Sequence, residues 1–148
     1  MTTPSNHGVF ESTFQKTKEW INEIQELIHV QDEREAYAAL RAVLHTLRDR
    51  LSVEDAAELG AQLPMMIRGT YYEGWNPANK PQKIGTAHEF LHSVDHQFAF
   101  NRSNKDPRHV IAGVFKVLED HVSKGEIKDV KSTLPQDILT LWPKPSKN

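Results

Sequence analysis

His88, His92 and His96 recur every four residues in a stretch whose apolar residues, Phe90, Leu91, Val94 and Phe98, keep helical spacing. Two histidines four apart on one helical face can chelate a metal such as zinc, because both imidazoles project from the same side. This stripe is the chain's metal-like pattern, and geometry weighs against it. His88 and His96 would stand about 12 Å apart along the axis, too far to share one ion easily. A hydrolytic centre also needs a third ligand and a base, and this helix offers only Glu89 and Asp95 nearby. The histidines fall opposite the apolar side of the wheel, so the plainer reading is a solvated face. The metal stripe stays as the alternative. There is no serine elbow and no glycine-rich phosphate loop; the seven glycines are scattered and cysteine is absent. No catalytic residue and no cofactor is assigned.

The run from Met65 to Trp75 offers recognition chemistry instead. Methionine is an adaptable contact residue, and tyrosine and tryptophan are favoured interface anchors. Its meaning depends on a repetition in the chain. Leu63-Pro64 and Leu134-Pro135 lie 71 positions apart (134 − 63). At that shift Leu40, Val43, Leu44, Leu47 and Leu51 fall on Ile111, Val114, Phe115, Leu118 and Val122. Asp49-Arg50-Leu51-Ser52 falls on Asp120-His121-Val122-Ser123. Such matches mark a duplicated structural unit. Ile67 and Tyr71 match Ile138 and Trp142 and read as core. Met65 and Met66 match Gln136 and Asp137, so the fold does not require methionine there. Met65, Met66, Tyr72 and Trp75, with Arg68 at the edge, form the candidate binding patch. The competing reading packs these side chains under the linker or against the second copy.

The elements that must position these residues are all helical. The first helix carries Phe14, Trp20, Ile21, Ile24, Leu27 and Ile28 on one expected apolar face; its counterpart carries Phe90, Leu91, Val94 and Phe98. The second helices follow the i, i+3, i+4, i+7, i+11 pattern set out above. Asp106-Pro107 and Asp32 start them, and Ser52 and Ser123, each with an acid three residues on, predict capping boxes for the third. Pro64 and Pro135 open short fourth helices. A flanking stripe, Ala39, Ala42 and Thr46 against Val110, Gly113 and Val117, predicts that the two second helices approach closely through Ala42 and Gly113. The expected organisation is a flexible tail over 1–11, helical repeats over 12–75 and 84–142, a linker over 76–83 and a tail over 143–148. The fold class is all-α, two pseudo-symmetric repeats packed as one compact bundle.

With 148 residues the chain can bury roughly 70% of its unfolded surface without staples. A net charge of −2 with no basic block argues against nucleic acid or an anionic membrane as partner. No apolar run approaches a membrane span, and the opening Met1-Thr2-Thr3-Pro4 lacks a secretory pattern, so a soluble cytoplasmic protein is expected.

At Gln62-Leu63-Pro64 through Tyr71-Tyr72-Glu73-Gly74-Trp75, and at Gly125-Glu126-Ile127-Lys128-Asp129-Val130 through Leu134-Pro135 and Leu141-Trp142-Pro143, the chain resembles the bacterial all-helical family catalogued as domain of unknown function 2267. The likeness runs from about Phe14 to Pro143. It implies a bacterial, twofold-repeated helical protein and supplies no activity. The functional expectation is a non-catalytic binding or protein-interaction module with an unidentified protein partner or self-association. The alternative is a metal-binding protein or metal-dependent hydrolase using His88, His92 and His96.

Overall fold

The computed structural model describes residues 8–98 and 104–144. Eight helices form the regular structure among them: α1 (Val9–Ile28), α2 (Glu33–Arg50), α3 (Val53–Ala61), α4 (Met65–Tyr72), α5 (Ala87–Phe98), α6 (Pro107–His121), α7 (Lys124–Ser132) and α8 (Gln136–Leu139). No strand occurs among the described residues. No helix among them is long and apolar enough to cross a membrane. Helix α1 starts at Val9, inside the expected tail over 1–11; residues 1–7 and 145–148 of the expected tails lie outside the described residues.

Side-chain caps set the helix starts. Asp32 accepts from the Arg34 N–H at 2.9 Å and Asp106 from the Arg108 N–H at 3.1 Å, with Pro107 in the first turn of α6. Ser52 accepts from the Asp55 N–H at 3.1 Å, and Ser123 from the Glu126 N–H at 3.2 Å. Each bond satisfies one of the donors that a helix start leaves orphaned. Only this half of the expected capping box forms at each serine; the Ser123 N–H donates instead to Gln62 Oε1 at 3.3 Å. Pro64 and Pro135 sit at the N-cap with extended backbone, one step ahead of the expected first turn. A complete capping box occurs where none was expected, at Thr86-Ala87-His88-Glu89. The Glu89 N–H donates to Thr86 Oγ1 at 3.1 Å, and Glu89 Oε1 accepts from the Gly85 and Thr86 N–H groups at 2.8 and 3.2 Å.

The core is continuous through all eight helices. The matched stripes of α2 and α6 are wholly buried, as are Trp20, Ile21, Ile24 and Ile28 of α1 and Phe90, Val94 and Phe98 of α5. Phe14 and Leu27 depart from expectation, at 54% and 36% exposure. Phe14 belongs to residues 9–16, which are exposed apart from half-buried Thr13; Leu27 lies at the rim of the stripe. Helix α2 packs on α1, α4, α5 and α6, while α6 packs on α1, α2, α5 and α7.

The close approach expected at Gly113 exists, with a different partner. A Cβ there would stand 2.6 Å from Ile28 Cγ2 and 3.5 Å from Leu27 Cβ, so the glycine admits α1, not Ala42 of α2. The corresponding flank of α2 turns toward α5, where Thr46 Oγ1 and Ser93 Oγ lie 2.9 Å apart. The flanking stripe thus seats the neighbouring first helix, because α1 and α5 cross over onto α6 and α2. The linker is exposed over 76–83 apart from half-buried Lys80, and it is tied back to α2 near its end. Asp49 O accepts from the Gln82 N–H at 2.7 Å, and the buried Ile84 anchors the chain. Arg50 donates to Ile84 O and to Thr133 O, each at 3.1 Å.

Candidate functional site

Helix α4 has eight residues, too short to stand alone in water, so its neighbours must fix it. They do so at its C-terminal end. From α2, the His45 Nε2–H donates to Thr70 O at 2.7 Å, and Arg48 Nη1 donates to Tyr71 O and Glu73 O at 2.7 and 3.0 Å. Arg41 pairs with the Glu73 carboxylate at 3.0 Å. These donors satisfy carbonyls that a helix end leaves open, and the cations complement its negative dipole end. Arg48 is 4% exposed, and Asp49 balances its charge through paired bonds at 2.8 and 3.2 Å. Burial pushes the His45 imidazole below its usual range, so its neutral form is favoured at the clamp. The Tyr71 hydroxyl, pushed upward chiefly by burial, donates to Ala56 O at 2.7 Å and ties α4 to α3.

The five candidate contact residues divide into two classes. Met65 and Met66 project outward at 62% and 47% exposure. Tyr72 and Trp75 are half-buried and packed against the core, their rings 5.4 Å apart, with Tyr72 also edge-on to Tyr71 at 5.0 Å. Tyr72 fills the space over Gly60, which leaves no room for a Cβ there. Arg68 turns its guanidinium back to α3, donating to Gly60 O and Leu63 O at 3.0 and 2.8 Å. It closes the C-terminal end of α3 while remaining exposed at its other edge. The exposed part of the candidate surface is therefore the methionine pair at the start of α4, and the packed aromatics lie at its other end.

His88, His92 and His96 all lie on the exposed side of α5. Glu89, one of the two acids among them, is committed to the cap of that helix. Its hydrogen bonds, the one from Gly85 foremost, hold the carboxyl below the usual carboxylate range.

A family model described as an uncharacterized conserved protein (DUF2267) matches residues 17–141. The chain belongs to this family. The match takes in α2 through α8 and the clamp on α4, and it begins eight residues into α1. No curated protein matches the chain.

Within the family region the structure also brings together residues that sequence reasoning missed. Carboxylate oxygens of Glu58 on α3 and of Glu126 and Asp129 on α7 lie within 4.8 Å of one another. Among the described residues these are the metal-type side chains that converge, and no histidine joins them. Burial raises the Glu126 carboxyl, and the charges of Glu58, Asp129 and Asp55 add to the rise. A signal was present in the sequence: a shift of 71 carries Asp55 onto Glu126 and Glu58 onto Asp129. Packing of α3 on α7 then places matched acids face to face. The clamp residues His45 and Arg48 gave no such signal, because their acceptors are backbone carbonyls supplied by a later segment.

Proposed function

We propose that this protein is a bacterial, cytoplasmic, non-catalytic interaction module built from two pseudo-symmetric helical units, with Met65 and Met66 at the centre of its contact surface. The observation that carries the reading is the exposure of two adjacent methionines on a helix whose far end is clamped by buried donors. Flexible thioethers on a fixed base suit recognition of an apolar partner surface. The two-unit architecture is supported by reciprocal packing: α1 lies on α6 as α5 lies on α2, and α2 meets α6 as α3 meets α7. Asp137 explains why the units differ at the patch. Its carboxylate accepts from the Ala87 N–H at 2.7 Å, at the start of α5. Helix α1 continues beyond the matching point to Val9, so its counterpart Met66 has no helix start to cap.

The test replaces Met65→Gln and Met66→Asp together, installing the second unit's own residues. Stability should stay within about 0.5 kcal/mol, as for exposed positions without special contacts. Association detected by light scattering or by capture from the native host should be lost. A loss of several kcal/mol would show that the pair is core and would overturn the contact-surface reading. No observation favours metal at His88, His92 and His96: among the described residues none of them joins a converging set of metal-type side chains.

A further inference from the structure

We infer that the chain forms a twofold dimer in which the exposed start of α1 from each copy lies on α4 of the other, resting on the contact surface proposed above. The buried stripe of α1, Ile21, Ile24 and Ile28, extends backward at the same spacing through Thr17 to Phe14 and Phe10. From Val9 to Lys16 the body no longer covers it. Val9, Phe10 and Phe14 are 81%, 72% and 54% exposed, while α5 begins without such an extension. Two turns of helix projecting with aromatic side chains in water need a covering surface. The same chain also exposes Met65 and Met66 on α4, a helix that packs against α1 of its own chain.

The two sets complement one another. Aromatic edges and thioether sulfurs make favourable contacts. Glu11 is the charged residue among residues 9–15 and Arg68, whose guanidinium bonds carbonyls at the end of α3, is the charged residue of α4, so the joint brings opposite charges together. Taking about 150–250 Å² for each large side chain, the exposed fractions leave about 600 Å² of apolar surface per chain. Either set alone is too small for a stable contact. A reciprocal pair covers both sets twice, about 1,200 Å² in all, which passes the threshold of about 1,000 Å² for a specific interface. A twofold partner meets both demands at once, because α1 on α4 in one direction requires α1 on α4 in the other.

Sedimentation of the full chain at micromolar to submillimolar concentration should give twice the monomer mass of 16.9 kDa. Phe10→Ser with Phe14→Ser, and separately Met65→Gln with Met66→Asp, should each sediment as monomers with wild-type melting temperatures. If the double phenylalanine variant melts low, Phe10→Ser alone replaces it. An equimolar mixture of the two variants keeps one intact joint of about 600 Å² and should stay below the threshold of about 1,000 Å², as each variant does alone. A wild-type monomer throughout overturns the dimer and leaves the contact surface to the capture assay. A dimer insensitive to either pair overturns the reciprocal joint. Unfolding of the methionine variant instead strikes at the contact surface itself.

Discussion

Gly113→Ala sets two effects of opposite sign against each other. Alanine is favoured over glycine inside a helix by about 1 kcal/mol. Against this, the added Cβ would lie 2.6 Å from Ile28 Cγ2, about 1 Å inside a comfortable carbon–carbon contact of about 3.5–4.0 Å. Ile28 is fully buried and β-branched, so it cannot swing aside; either α1 or α6 must shift. Overpacking of this kind costs about 1–3 kcal/mol. The net expectation is destabilisation of about 1 kcal/mol, with the gain in propensity already subtracted. Gly69→Ala is the control: it lies within α4 with nothing within 4 Å of the new Cβ, so it should stabilise by up to about 1 kcal/mol. Urea unfolding of both variants supplies the comparison. Ile28→Ala, which removes the clashing methyl, should cost less in the Gly113→Ala background than in wild type, by about 1 kcal/mol of coupling. If Gly113→Ala stabilises as much as Gly69→Ala, the helices do not meet there and the reasoning fails.

Ser52→Ala and Ser123→Ala should each cost about 1 kcal/mol in urea melts, and the double mutant should show the sum unless the caps couple through the joint of α3 and α7. His45 has its folded pKa below the unfolded value of 6.5, so its contribution to stability is complete above that pH and is lost as pH falls through the folded value. His45→Gln retains a donor toward Thr70 O, and its unfolding free energy should fall less than that of wild type between neutral and mildly acid pH. Equal slopes would remove His45 from the acid response. Arg48→Met should cost about 3 kcal/mol, because it strands the carbonyls of Tyr71 and Glu73, and calorimetry should show the loss with the helical content retained at low temperature.

The apolar repeat made the helices legible: the stripe from Leu40 to Leu51 and its partner from Ile111 to Val122 lie inside as spacing demands. Caps at Asp32, Ser52, Asp106 and Ser123 were legible because each acts within three residues of its own side chain. The exposed methionines were legible through a different signal, the substitution of Gln136 and Asp137 at the matching places. Contacts between distant segments were not. Gly113 announced a close approach, yet nothing in its neighbours named Ile28 as the partner. His45 and Arg48 look like solvated residues on α2, since a hydrophobic pattern cannot show that α4 will bring its open carbonyls over them. Phe14 and Leu27 fit the apolar period of α1, but period alone does not say how far along a helix its neighbours reach.

Arg50 joins three parts of the chain: its own helix, the linker carbonyl of Ile84 and the far carbonyl of Thr133. Together with the crossing of α1 onto α6 and α5 onto α2, this removes any independent sub-global opening of either half. Freeing one half would uncover the first helix of the other and strand acceptors on both sides of the linker. Amide protons in the buried stretches of α2 and α6 should therefore exchange through the same global event, as one foldon. A protease cut within residues 76–80 should leave two fragments that remain associated and unfold together. On this packing the two halves of the chain should fold and unfold as a single cooperative unit.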